Sequence, residues 1–146
     1  MLLIQPSQPI GYLLARAHHR LRLKLDSALV GLDITAPQYA VMEAMSREPG
    51  ITGAELARKA AVTAQTMGGL VQALERASYV ERSPCVNNAR RIANRLTPQG
   101  IAVLRKARAD VRRIERNLTA GLDRDVLSTL TAALVQLSER LGDRET

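Results

Sequence analysis

Two helix starts stand close together in the middle of this chain, and they limit its fold more than any other feature. Thr52-Gly53-Ala54-Glu55 is a capping box: the threonine hydroxyl accepts from a backbone N–H in the first turn while the glutamate reaches back to the threonine's own N–H. It opens a short helix through about Ala60. After Ala61-Val62, Thr63 is set to cap a second helix running to about Ala77. Two short helices joined by a tight turn, each capped at its start, have the sequence shape of a helix-turn-helix.

The flanking segments surround this pair with longer helices. Ile10, Leu14, Ala17, Leu21, Leu25 and Ala28 recur at steps of three and four and predict a helix over 10–30, ended by Gly31. Thr35-Ala36-Pro37 starts another, with Thr35 as N-cap and Pro37 in the first turn. It carries Tyr39, Val41, Met42 and Met45 and stops at Pro49-Gly50. Past the paired short helices the pattern changes. Pro84, Asn87 and Asn88 mark a turn, and after it Ile92, Asn94 and Leu96 alternate with Arg91, Ala93 and Arg95. The reading is a β-hairpin formed by 79–83 and 91–96, with a basic outer face. Thr97-Pro98 opens a long helix carrying Ile101, Leu104, Val111, Ile114 and Leu118, and Gly121-Leu122-Asp123 breaks it. Leu127, Leu130, Leu134, Leu137 and Leu141 stripe a last helix. The expected fold class is mainly α with a small β-hairpin, in a single domain over 1–146.

Such a fold needs a core, and its material is unusual. The chain has no Phe and no Trp, and Tyr12, Tyr39 and Tyr79 are its only aromatics besides histidine. The core must be built from Leu, Ile, Val, Met and Ala, which suits helix-on-helix packing. The net charge of +7 points to an anionic partner, most often nucleic acid. Cys85 is the single cysteine, which excludes an internal disulfide and a Cys-rich zinc site. No apolar run approaches the ~20 residues that span a bilayer. Met1–Ile10 is apolar, but it holds prolines and lacks a charged start, so it does not read as a secretory signal. A cytoplasmic protein without membrane contact is expected. No nucleophile–base set, metal-ligand cluster or phosphate-cradling glycine loop is legible, so neither an enzyme nor a bound cofactor or metal is expected.

The chemistry lies on the second short helix. Drawn as a wheel at about 100° per residue, it gathers Met67, Leu70, Val71 and Leu74 on one face. The other face shows Gln65, Gly69, Gln72 and Arg76. Gln pairs with adenine bidentately, and Arg with guanine or phosphate, so this face is equipped to read base edges. Thr63 and Thr66 stand at the helix N-terminus, where hydroxyls and free N–H groups meet phosphate. Each glycine of Gly68-Gly69 costs the helix about 1 kcal/mol against Ala. Close approach to DNA accounts for Gly69, whereas Gly68 suits DNA approach or helix packing equally. At the hairpin tip, Asn88, Arg90 and Arg91 are placed for a minor groove or for backbone phosphates. A solvated charged turn is the plainer alternative.

In this order and spacing, Thr35-Ala36-Pro37-Gln38-Tyr39, Gly53-Ala54-Glu55-Leu56-Ala57, Thr63-Ala64-Gln65-Thr66-Met67, Leu74-Glu75-Arg76 and Leu96-Thr97-Pro98-Gln99-Gly100 resemble the MarR family of bacterial winged helix-turn-helix regulators over nearly the whole chain. The resemblance implies a DNA-binding lobe over about 35–97, the hairpin as its wing, and dimerisation helices over 10–30 and 98–142. It implies a homodimer reading a palindrome in double-stranded DNA, released by small, often aromatic, ligands. Three residues depart from the family pattern: Ser78 where a glycine follows the recognition helix, Asn88 in place of the aspartate of the wing's Asp-x-Arg, and Asn94 at an apolar position of the returning strand. All lie in or beside the wing, so an altered wing is expected.

A ligand pocket between the lobe and the dimerisation helices is expected to be lined by Leu14, His18, His19, Tyr39, Met42 and part of the long fifth helix. The two adjacent histidines diverge by about 100° and make no metal site together. Cys85 lacks a second cysteine to resolve an oxidised form and reads as an inert thiol. Arg105, Arg108, Arg112, Arg113 and Arg116 read as the solvated face of a dimerisation helix, some pairing with Asp110 or Glu115. The alternative to a sequence-reading regulator is an architectural DNA-binding protein with little sequence preference.

Overall fold

Thr35, Thr52, Thr63 and Thr97 each head a helix. The structure, a computed structural model, describes residues 8–142; the remainder of the expected 1–146 domain lies outside the described residues. Thr35 accepts from the Gln38 N–H at 3.4 Å while Gln38 Oε1 accepts from the Thr35 N–H at 2.8 Å, and this box starts α2 (Ala36–Arg47). Thr52 and Glu55 repeat the arrangement at 3.3 and 2.9 Å to start α3 (Gly53–Ala60). Thr63 accepts from the Thr66 N–H at 3.1 Å to start α4 (Ala64–Arg76). Each cap contributes on the order of 1 kcal/mol.

The first helix, α1, covers Ile10–Leu29. Gly31 does not end it. The chain tightens into a 3-10 turn over Val30–Leu32, and Asp33, at φ 58°, takes the left-handed position that stops it. Asp26 reaches across from α1 to accept the Ala36 N–H at 2.6 Å, tying α1 to the start of α2. α2 lies at the centre, packed on α1, α4 and α5. Its Val41, Met42 and Met45 join Leu29, Leu56, Met67, Val71, Leu74 and Leu104 in a core with the expected aliphatic and methionine character. Tyr79 packs at its edge and donates its hydroxyl to the Leu32 carbonyl at 3.1 Å.

The hairpin is longer than the alternation predicts. β1 (Val80–Cys85) pairs antiparallel with β2 (Asn88–Leu96), from Val80 opposite Leu96 to Pro84 opposite Ile92, and then Cys85 opposite Asn88. Pro84 sits inside a strand, as both strands of a two-stranded sheet are edges. Ala89, Arg90 and Arg91 have no residue opposite them. Ala93, expected on the outer face, is buried, because the free edge of β2 bridges to Thr52. At the hairpin base the Thr97 N–H donates to the Tyr79 carbonyl at 3.0 Å and the Thr97 hydroxyl to the Ser78 carbonyl at 2.6 Å.

Thr97 also caps α5 (Pro98–Thr119), accepting from the Gly100 N–H at 3.0 Å. Gly100 faces the Tyr79 carbonyl so closely that a Cβ would run into its oxygen. The break at Gly121 is the expected one, at φ 85°, and Asp123 accepts from the Val126 N–H at 2.9 Å to start α6 (Arg124–Gly142). No residue of α6 is buried, and Leu130, Leu134 and Leu141 of its leucine stripe are exposed.

Candidate nucleic-acid interface

α4 divides as its wheel predicts. Met67, Val71 and Leu74 are buried and Leu70 partly so, while Thr63, Gln65, Thr66, Gly69, Gln72 and Arg76 are all exposed. Nothing lies within 4 Å of where a Cβ would stand on Gly68 or Gly69. Packing against the described residues of this chain therefore explains neither glycine. Thr63 is partly committed: its oxygen accepts the capping N–H, and its hydroxyl donates to Thr66 Oγ1 at 3.0 Å.

The wing brings its predicted residues together unequally. Asn88 Oδ1 accepts the Arg90 backbone N–H at 3.1 Å, a local turn that leaves both side chains at the surface. Arg91 does not project from the tip. Its Nη2 donates to Glu55 Oε1 at 3.0 Å, folding the guanidinium back onto the start of α3. The Thr52 backbone and this arginine hold the Glu55 carboxyl below its ordinary range. Val86, in the two-residue turn Val86-Asn87, is fully exposed, a residue the turn pattern did not single out.

A groove of about 630 Å3 opens between α1, α2, α3 and α4. Of the residues expected to line a pocket, it contains His18 alone. Met42 is fully buried in the core, while Leu14 and His19 lie on α1 outside the groove, His19 exposed. Tyr39 sits in a polar cluster instead, donating its hydroxyl to Glu43 at 2.8 Å. Arg108 of α5 donates to both oxygens of that carboxylate, at 2.8 and 3.1 Å, and to Ser46 at 3.0 Å. Hydrogen bonding from Arg108 holds the Glu43 carboxyl low, and burial with the bond to Glu43 pushes Tyr39 up to about 12. Arg108 thus belongs to an α2–α5 junction, whereas Arg113 pairs with Asp110 as expected. The groove's polar groups include Arg22 and Lys59, which sequence reasoning missed. Arg22 lies one helical turn from His18, a spacing that carries the signal. Among the described residues no group of three or more metal-ligating side chains comes together, and no helix is long and apolar enough to cross a membrane.

A family model described as MarR family matches residues 32–91, the span of α2 through most of the hairpin. The HTH-type transcriptional repressor Rv2887 of Mycobacterium tuberculosis is 38% identical over 78% of this chain and 82% of its own length. The chain belongs to the MarR family. Among solved structures, the Mycobacterium tuberculosis MarR family protein Rv2887 in complex with DNA superposes with a TM-score of 0.70 at 33% identity, covering 90% of this chain and 98% of that one. Its complex with salicylic acid gives 0.69 at 34% identity, with coverage of 90% and 97%. The fold is a winged helix-turn-helix, and this MarR-family chain is a DNA-binding transcription regulator.

The three departures from the MarR pattern each have a physical consequence here. Ser78 has φ 65°, the left-handed position that favours glycine, at a strain on the order of 1 kcal/mol. Asn88 spends its acceptor on a backbone N–H rather than on a guanidinium. Asn94 is 1% exposed and anchors the wing. Its Nδ2 and backbone N–H both donate to the Ile51 carbonyl, at 2.9 and 3.0 Å, and its own carbonyl accepts from the Gly50 N–H at 3.1 Å. Asn94 Oδ1 finds no hydrogen-bond partner among the described residues.

Proposed function

We propose that this MarR-family protein is a homodimeric repressor that reads a palindromic operator through α4 and is released by a small aromatic anion. The observation that carries the reading is the bare outward face of α4, with Gln65, Gly69, Gln72 and Arg76 exposed and both glycines over open space. Gln65 and Gln72 contact base edges, Gly69 lets the helix approach them, and Arg76 takes guanine or phosphate. Thr63 and Thr66 meet phosphate at the helix start. Asn88 and Arg90 carry the wing into the minor groove. The relative Rv2887, solved with DNA, supports this assignment.

The second copy belongs on α6 and α1, whose Leu130, Leu134, Leu141, Ile10 and Leu13 are exposed in the single chain. Two-fold symmetry then sets half-sites about one helical turn apart, roughly 10 base pairs. The groove holding His18, Arg22 and Lys59 takes the effector: its apolar walls suit an aromatic ring, and Arg22 and Lys59, paired with Asp26 and Glu48 in the free chain, exchange those partners for the ligand's carboxylate. Rv2887 solved with salicylic acid and with p-aminosalicylic acid supports that chemistry. A protein that works on bacterial DNA acts in the cytoplasm.

Fluorescence anisotropy on DNA upstream of the protein's own gene, beside a scrambled duplex at several salt concentrations, tests the reading. A specificity ratio that persists at physiological salt, and that falls when salicylate is added, is the expected result. Equal, salt-steep binding to both duplexes would point to the architectural alternative.

A further inference from the structure

We propose that Arg91 is a positioning residue of the wing: by bridging to Glu55 it holds the returning strand against the start of the helix-turn-helix, so that Arg90 beside it is presented to DNA. The inference rests on the DNA-reading function proposed above. β2 is anchored at its inner end, where Asn94 bonds to Ile51 and Gly50 and Ala93 bridges to Thr52. Towards the tip the ladder is interrupted: Ala89, Arg90 and Arg91 have no residue opposite them before Asn88 pairs with Cys85. The ion pair lies in this interrupted stretch.

Glu55 divides its carboxylate between two tasks. Oε2 accepts the Thr52 N–H at 2.9 Å and closes the capping box of α3, while Oε1 accepts Arg91 Nη2 at 3.0 Å. An exposed ion pair ordinarily loses most of its value to the ordering of two long side chains. Here the cap has already ordered one of them, so the arginine meets an oriented acceptor. With its guanidinium turned onto the protein, Arg91 leaves Arg90 as the charge this part of the wing offers to DNA. Asn88, bonded to the Arg90 N–H, shapes the backbone between them.

The test compares the full-length wild type with Arg91→Ala, Glu55→Gln, the double variant and Arg90→Ala. Glutamine keeps the capping-box acceptor while removing the charge. Affinity is read by anisotropy across a salt series, on a duplex selected from a random pool with the wild-type protein. Arg90→Ala lowers the salt slope by about 0.9, the share of one phosphate. Arg91→Ala and Glu55→Gln each weaken binding roughly fivefold with the slope unchanged, and the double variant binds no worse than Arg91→Ala alone. A reduced slope for Arg91→Ala, or additive losses in the double variant, would overturn the proposal in favour of a direct phosphate contact. Hydrogen exchange on the free protein gives a second readout. Both single variants speed exchange at 89–92 and leave Asn94 protected; unchanged exchange would sink the clamp. If no duplex can be selected, the DNA-reading function fails by itself, and exchange still decides whether the clamp exists.

Discussion

Ser78 carries a side chain where the backbone wants none, and Gly100 lacks one where there is no room. The first is a mismatch that the protein tolerates: the Ser78 carbonyl takes the Thr97 hydroxyl and its N–H donates to the Glu75 carbonyl at 2.9 Å, which hold the left-handed turn in place. Replacing it with glycine relieves the strain, offset in part by the greater freedom of the unfolded chain. Ser78→Gly is therefore expected to stabilise the fold by about 0.5–1 kcal/mol, read as a higher urea midpoint with an unchanged slope. Gly100 is the reverse case, fixed by the Tyr79 carbonyl pressed against it. A family motif that ends in glycine acquires a steric reason there.

The element proposed to read DNA is also weakened as a helix. Gly68-Gly69 leaves α4 less stable than alanine would, with no packing in this chain to offset it. Gly69→Ala should raise helix stability by about 1 kcal/mol while weakening operator binding, a split that thermal melting and anisotropy on one sample would reveal. Equal affinity for the variant would remove Gly69 from the interface. At the α2–α5 junction the expected effects run with pH. Arg108 holds the Glu43 carboxyl below its ordinary 4.5, so the folded protein binds fewer protons than the unfolded chain in acid. The junction's contribution is complete above that value and is lost as the pH falls through the lower, folded one. Tyr39, pushed from 10.0 to about 12, keeps a proton that the unfolded chain releases, so stability declines as pH climbs between those values. Urea titrations of the wild type and Tyr39→Phe across both ranges would show the alkaline decline shrink in the variant. These elements were legible to different degrees. Thr35, Thr52, Thr63 and Thr97 cap within three residues of themselves, so their helices could be read from the chain alone. The Arg91–Glu55 pair, the burial of Ala93 and the Tyr39–Glu43–Arg108 cluster depend on residues far apart in sequence. The lining of the groove is poorly legible for a related reason: periodicity marks the apolar stripe of α1, but not which neighbour that stripe meets.

At the scale of the whole molecule, Leu130, Leu134 and Leu141 of α6 stand exposed among the described residues. Leu130→Glu with Leu134→Glu is expected to halve the sedimenting mass from a dimer of 16.0 kDa subunits to a single one, and to abolish high-affinity operator binding while the lobe stays folded. A variant that still sediments as a dimer would move the interface elsewhere. The hairpin, by contrast, enters and leaves the body at one seam, where Thr97 is bonded to Ser78 and Tyr79. Because that seam and the Asn94 anchor fix its root, the stretch from Ser83 to Ile92 can be shortened, lengthened or replaced by another hairpin without repacking the interior. A lineage could thus exchange this arm as an interchangeable part, acquiring a new operator preference while every buried residue stays as it was.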